Sequence, residues 1–263
     1  FNAHLKNEGA DSLPEITAFM TGANEWRSFD AWPPKAATPT PLYLREGGLL
    51  SFAAPTQSDG ANSYVSDPAK PVPFTAQTTM SMGHLYMVED QRFAASRPDV
   101  LVYQTEPLAE DVTVAGPATV ELHASTSGTD CDWIVKLIDV FPPDTPDPKS
   151  NPTGVRMGGF QMLVAGEALR AKFRDSFEEP TAVPANRPVK YTWGLADKLH
   201  RFRAGHRIMV QIQSTWFPLV DRNTGSFQDL YKASASDYRP TTQRVYHASG
   251  RPTRIVLPLL KDQ

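Results

Sequence analysis

The stretch from Asp132 to Phe141, D-W-I-V-K-L-I-D-V-F, is apolar on both alternating phases apart from Lys136 and Asp139. Successive side chains of a strand point to opposite faces of a sheet, so this pattern predicts a strand covered on both sides. Just upstream, Ala118 to Thr126 alternates. Val120, Leu122 and Ala124 point one way, and Glu121, His123 and Ser125 the other. Downstream, Ile208, Val210 and Ile212 alternate with Arg207, Met209, Gln211 and Gln213.

Period-two segments extend outward from this centre. Strands are expected at Glu15 to Gly22, Leu42 to Leu44, Leu49 to Phe52 and Asp99 to Thr105. Further ones are expected at Phe160 to Val164, Ala168 to Phe173, Val189 to Leu195, Arg244 to His247 and Arg254 to Leu259. Roughly a dozen short strands with turn signals between them predict a sandwich or jelly roll. No fixed-period repeat supports a propeller. Glu25 to Pro34 is a Trp-rich segment. Pro55 to Phe74 reads as an extended, proline-spaced tether with no packed element of its own, and Pro142 to Pro152 as a loop.

Composition agrees. Of 263 residues, 24 are proline, about 9% where roughly 5% is ordinary. Proline belongs in turns, edges and connections. Hydrophobic residues make up 40%, enough for a sizeable core, and the net charge is −3. This is neither a polybasic nucleic-acid binder nor an acidic disordered tail. No apolar run approaches the ~18 to 20 residues a membrane helix needs. One cysteine, Cys131, cannot form an internal disulfide. Phe1 to Lys6 carries Phe1 and Leu5 at helical spacing, with Gly9 a plausible stop and no signal-peptide pattern. It reads as the last turns of a helix that begins earlier in a longer protein.

Catalytic signatures are sparse. G-x-S-x-G is missing, and Ser125-Thr126-Ser127-Gly128 reads as a strand-end turn. Six scattered histidines and one cysteine give no basis for a metal site. His206, after Gly205, is expected to bond backbone in a turn. His123 is expected to face solvent or an interface. Asp130 and Asp132 are read as solvated or as accepting N–H groups, and a loop calcium site is left open. In Glu89 to Phe93 (E-D-Q-R-F) and Trp216 to Asn223 (W-F-P-L-V-D-R-N), acids and arginines stand beside aromatics. Asp90, Arg92, Asp221, Arg222 and Asn223 are therefore expected to pin loops, with arginine's planar fork forming buried ion pairs.

Several stretches together resemble a known family. They are Gly205 to Asn223 (G-H-R-I-M-V-Q-I-Q-S-T-W-F-P-L-V-D-R-N), Glu25-Trp26-Arg27 with Trp32-Pro33, Thr129 to Val140, and Gln243 to Tyr246. They resemble the X-Pro dipeptidyl-peptidase C-terminal domain of the cocaine esterase, α-amino-acid ester hydrolase and glutaryl (cephalosporin) acylase family. Tyr64 to Pro73 and Asp90 to Phe93 are most similar to the acylase and ester-hydrolase branch.

The resemblance implies an all-β fold, a galactose-binding-like jelly-roll β-sandwich with a short N-terminal helical stub. Residues 1–13 would be the remnant of the last helix of an α/β-hydrolase domain, and 14–263 the C-terminal jelly roll. No catalytic residue of the family maps here, and no metal or cofactor is implied. Met80 to Met87 corresponds to a segment that lines the acyl pocket of relatives. Met82, His84, Leu85 and Tyr86 are therefore expected at its rim, with Tyr86 where ester hydrolases tend to carry Trp. The implied partners are the chain's own α/β-hydrolase domain and, in the parent, a small ester, amide or peptide substrate. Nucleic acid and a membrane span are not implied. A homo-oligomer and the compartment are left open between cytoplasm and periplasm or secretion. A rival reading is a carbohydrate-binding jelly-roll module using Trp26, Trp32, Trp193 and Trp216 as stacking platforms.

Overall fold

A computed structural model describes residues 2–6, 8–9, 14–77, 79, 83–152 and 154–261. A short helix, α1 (Asn2–Lys6), precedes the strands, and a second, α2 (Arg92–Ala95), lies among them. The first eight strands are β1 (Ile16–Met20), β2 (Glu25–Phe29), β3 (Ala37–Arg45), β4 (Leu49–Ser51), β5 (Ala61–Ser66), β6 (Leu101–Gln104), β7 (Val112–Gly116) and β8 (Thr119–Thr126). The rest are β9 (Asp132–Val140), β10 (Gln161–Arg170), β11 (Val189–Gly194), β12 (Lys198–Phe202), β13 (Arg207–Gln213), β14 (Thr241–Ala248), β15 (Arg251–Pro252) and β16 (Arg254–Leu260).

Two layers face each other. In one the order is β10-β9-β13-β6. In the other, β8 pairs with β11 on one side and with β16 and β14 on its other, and these pair in turn with β3 and β5. β3 and β4 carry the ladder from one layer to the other through a single parallel bridge, Leu49 to Gln104. Alternate residues of both layers enter one core. Trp133, Val135 and Leu137 of β9 meet Val120, Leu122 and Tyr191 of the opposite layer. The Trp133 and Tyr191 ring centroids are 5.8 Å apart. Burying side chains of this size contributes roughly 1.5 to 3 kcal/mol each.

β9 is covered on both faces, as its sequence predicts, and all but its last residue are buried. The second cover is the chain before β6. Val72 and Ala94 form one cluster with Val102 of β6, and Phe74 and Trp216 form another with Ile134 of β9. This corrects the tether reading of Pro55 to Phe74, which contains β5 and ends in two buried residues. β5 was hidden because Tyr64 alone of A-N-S-Y-V-S is buried; pairing along β14 makes the strand. Phe160 to Val164 and Ala168 to Phe173 are likewise mostly one strand, β10, with a register shift between Leu163 and Ala165. β2, β7 and β12 were also not expected from periodicity. β1 and β2 form a separate hairpin whose Thr21 bonds to the Leu199 carbonyl on β12.

Candidate functional site

The crossing segment is zipped onto the strand end after β13. Val72 N–H donates to Thr215 Oγ1 at 2.7 Å, Phe217 N–H to the Val72 carbonyl at 3.0 Å, and Phe74 N–H to the Phe217 carbonyl at 2.9 Å. The Tyr86 ring then sits 5.6 Å from Phe74 and 5.9 Å from Trp216. Beside it opens a cleft of about 1040 Å³ between residues 75–77 and 83–93 on one side and 155–160 on the other. Leu85, Tyr86, Val88, Phe93, Val155 and Phe160 supply most of its apolar lining. Leu85 is 78% exposed and Val88 67%, which is unusual for such side chains grouped on one rim.

Arg92 clamps the two walls. Its guanidinium pairs with Asp90 on its own wall. It also donates to the carbonyls of Gly158 at 3.0 Å and Arg156 at 2.7 Å on the other. Asp90 also accepts the Gln161 N–H at 3.3 Å, so the ion pair fixes both rims. Of the expected rim residues, Leu85 and Tyr86 line the cleft. The backbone of His84 opens the 3₁₀ turn His84–Met87, and its side chain and all of Met82 lie outside the described residues.

The pinning of the 216–223 loop differs in detail from expectation. Asp221 is exposed. Arg222 donates to the Pro68 carbonyl at 2.8 Å and lies over the Phe217 and Tyr238 rings. The buried ion pair here is Asp132 with Arg170, a two-pronged contact at 2.8 Å on each prong. Arg170 also donates to the Asp221 carbonyl at 2.9 Å, which ties the loop to β10. Asn223 bridges two buried acids, donating to Asp130 at 3.1 Å and Asp132 at 2.9 Å. Burial pushes the Asp130 carboxyl up to about 6, against the Asn223 N–H that favours its charge. Both acids are buried, so the N–H-accepting half of their reading holds and the solvated half does not.

The histidines also required tertiary structure. His206 makes its expected turn bond, its N–H donating to the Arg203 carbonyl at 3.0 Å, and its ring adds a partner the sequence did not show, with Nδ1 2.8 Å from Asp139 Oδ1. His200, fully buried, approaches the other oxygen of Asp139 at 3.2 Å and Thr21 Oγ1 at 2.8 Å. Burial pushes the Asp139 carboxyl up, but the two histidine contacts outweigh it and hold it below the usual range. His123 is half-buried on the outer side of β8.

Cys131 is buried, and burial next to Asp130 and Asp132 raises its thiol well above the usual range, leaving it a poor nucleophile. Ser125 shares a hydrogen bond with Tyr246, and Ser127 Oγ accepts the Thr242 N–H. Among the described residues no cluster of three or more His, Cys, Asp or Glu side chains could hold a metal ion. No described helix is long and apolar enough to cross a membrane. The sequence reading missed the second cleft wall, Val155 to Phe160, and the polar groups under the first, Gln91 and Lys136. A lone lysine in a doubly apolar strand was the available signal for the last of these.

Comparison with known proteins agrees with this geometry. The X-Pro dipeptidyl-peptidase C-terminal non-catalytic domain matches residues 8–256. Cocaine esterase of Rhodococcus sp. (strain MB1 Bresler) is 30% identical over 99% of the chain, which covers 45% of that protein. An aminopeptidase from a marine sediment archaeon, Thaumarchaeota archaeon, superimposes with a TM-score of 0.90 at 39% identity, over 99% of this chain and 43% of its own. An α-amino acid ester hydrolase also gives 0.90, at 41% identity over 97% of this chain and 42% of its own. The chain thus spans less than half the length of these relatives. These matches give no support to the carbohydrate-binding reading. Trp216 is buried and Trp32 Nε1 donates to Asp197; Trp26, 67% exposed, packs edge-on against Phe19. An all-β sandwich with an apolar cleft, whose sequence matches the family along nearly all its length, belongs to the X-Pro dipeptidyl-peptidase C-terminal non-catalytic domain family.

Proposed function

We propose that this chain is the C-terminal sandwich of a serine hydrolase and that the 83–93 wall of its cleft closes one side of that enzyme's acyl pocket. The exposed apolar rim carries the reading: Leu85, Met87 and Val88 project from a wall that Arg92 ties to the Arg156 and Gly158 carbonyls of the facing wall. An apolar face of this kind gains free energy when another domain or an acyl group covers it. The relatives named as esterase, ester hydrolase and aminopeptidase are all more than twice as long as the stretch that matches. In this reading residues 1–13 join the α/β-hydrolase domain to the sandwich formed by 14–263. The partner domain supplies the serine, its histidine base and the oxyanion donors for acyl transfer to water. This chain supplies the pocket wall through Leu85 and Tyr86, with Met82 and His84 on the same segment.

The test uses the parent hydrolase and p-nitrophenyl esters of increasing acyl bulk. Leu85→Asp and Tyr86→Ala are expected to raise KM at least tenfold for the bulky esters, with less effect on acetate. Equal losses on all esters would overturn the wall assignment. The chain alone is expected to turn over no p-nitrophenyl acetate. Rapid turnover blocked by a serine-directed fluorophosphonate would overturn the assignment as a non-catalytic domain.

A further inference from the structure

Lys136 stands in the middle of β9 with no exposed surface, directly behind the cleft wall. Its hydrogen bond among the described residues is to a neutral group, Gln91 Oε1, at 2.9 Å. The amine also lies over the Trp216 ring at 5.0 Å and the Phe93 ring at 5.9 Å. Gln91 in turn donates to the Glu89 carbonyl at 2.8 Å, and its own N–H reaches the Gln161 carbonyl at 3.0 Å. Lys136 and Gln91 thus join the wall to the sheet.

The surroundings supply little to hold a charge. Across the ladder, Lys136 faces Gly166 of β10 and Gln211 of β13, both neutral. From the loop after β13 comes the Trp216 ring. From the crossing segment come Tyr86, which packs on Trp216, the Asp90–Arg92 pair, engaged with itself, and Glu89. Glu89 Oε1 accepts the Ala76 N–H at 3.0 Å, and its Oε2 is buried with no hydrogen-bond partner among the described residues. A buried amine with one neutral acceptor is comfortable uncharged and costly charged.

We propose that Lys136 is a positioning residue that latches the 83–93 wall onto the sheet in its uncharged form, and that the wall loosens when the amine takes a proton. The significance for catalysis rests on the wall reading above; the latch itself does not. Burial pushes the amine down to about 7, with Glu89 opposing. Opening the wall lets the ammonium reach water, where lysine titrates near 10.4. The open form therefore binds a proton at pH values where the closed form does not. Opening gains about tenfold for each unit the pH falls through this window and levels off below about 7.

Amide hydrogen exchange on the chain itself, corrected for intrinsic rates, reads this out. Protection of the Gln91 N–H and of the Ala94 and Ala95 N–H groups is expected to fall about fiftyfold from pH 9 to pH 7, then about twofold more before it levels off. Amides of β8 are expected to remain better protected throughout. Lys136→Met is expected to give a flat profile. Lys136→Arg, which cannot lose its charge, is expected to be flat and poorly protected at every pH. Gln91→Glu keeps the lysine and puts a carboxylate against it. It is expected to shrink the pH 9-to-7 change at least tenfold, and it reports even where a Lys136 variant fails to fold. A flat wild-type profile would overturn the latch. So would a slope that Lys136→Met or Gln91→Glu leaves unchanged, or wall amides that exchange only as fast as those of β8. Loss of ester selectivity has no bearing on any of these outcomes, so the two proposals fail separately.

Discussion

Replacing Arg170 with methionine tests whether the acid cluster at the start of β9 holds the 216–223 loop. Asp132 is 2% exposed, and Arg170 grips both its oxygens at 2.8 Å. Methionine keeps most of the length and the apolar contacts but removes the charge and the fork. Asp132 would then retain the Asn223 N–H at 2.9 Å, which Asn223 already shares with a second buried acid, Asp130. Breaking a buried pair from one side typically costs about 3 to 5 kcal/mol, because the remaining charge is stranded out of water. That is a large share of the ~5 to 15 kcal/mol a domain has. At a urea m value of roughly 2 to 3 kcal/mol/M, the midpoint should fall by about 1 to 2.5 M. Urea titration at pH 7, followed by tryptophan fluorescence, measures it. The double variant Asp132→Asn/Arg170→Met removes the stranded charge and should recover at least half of the loss. A single-variant shift below about 0.3 M, or a double variant no better than the single, would refute the reasoning.

Two further outcomes are expected. In Gly22→Ala, an added Cβ would lie 2.0 Å from the Arg201 carbonyl oxygen at a residue with φ of +83°. The β1–β2 hairpin should lift from β12 at a cost of about 1 to 3 kcal/mol. The Thr21 and Arg201 amides, which bond across that seam, should exchange much faster; unchanged protection there would sink the idea. The second concerns Asp130, whose carboxyl is raised to about 6 in the folded chain from an ordinary 3.8. The folded form keeps a proton that the unfolded form has lost. Its contribution is therefore full below pH 3.8 and falls by about 3 kcal/mol as pH rises to 6. The stability difference between the wild type and Asp130→Asn should change by about that amount between pH 3.5 and pH 7. A difference that stays constant with pH is the contrary result.

Much of the architecture is local and could be read from the chain. Alternation in 118–126 and 207–213 and double coverage in 132–141 report which faces of a strand meet apolar neighbours, and each residue carries that information itself. Proline-rich connections marked the turns for the same reason, since proline's ring constrains its own backbone. Asp90 and Arg92, two residues apart, meet through local geometry, and their ion pair is partly exposed where the sequence suggested a buried one. Asp221 and Arg222 carry the same local signal, yet Arg222 turns to Pro68 and two rings, and the buried pair is Asp132–Arg170, 38 residues apart.

Tertiary structure decided what depends on distant groups converging. β5 exists because β14 offers it an edge, not because A-N-S-Y-V-S favours a strand. Lys136 looked like an interruption in an apolar strand. Only the convergence of Gln91, Phe93 and Trp216 on it makes it a buried amine beside a cleft. His200, Asp139 and His206 come from three strands or their ends, and no spacing in the chain brings them together. Residue patterning thus yields a β-sandwich with one strand covered on both faces, because strand periodicity records burial one residue at a time. Where its cleft, its buried ion pair and its buried amine lie emerges only in the folded chain, because hydrogen bonds and desolvation act between groups that the chain holds far apart.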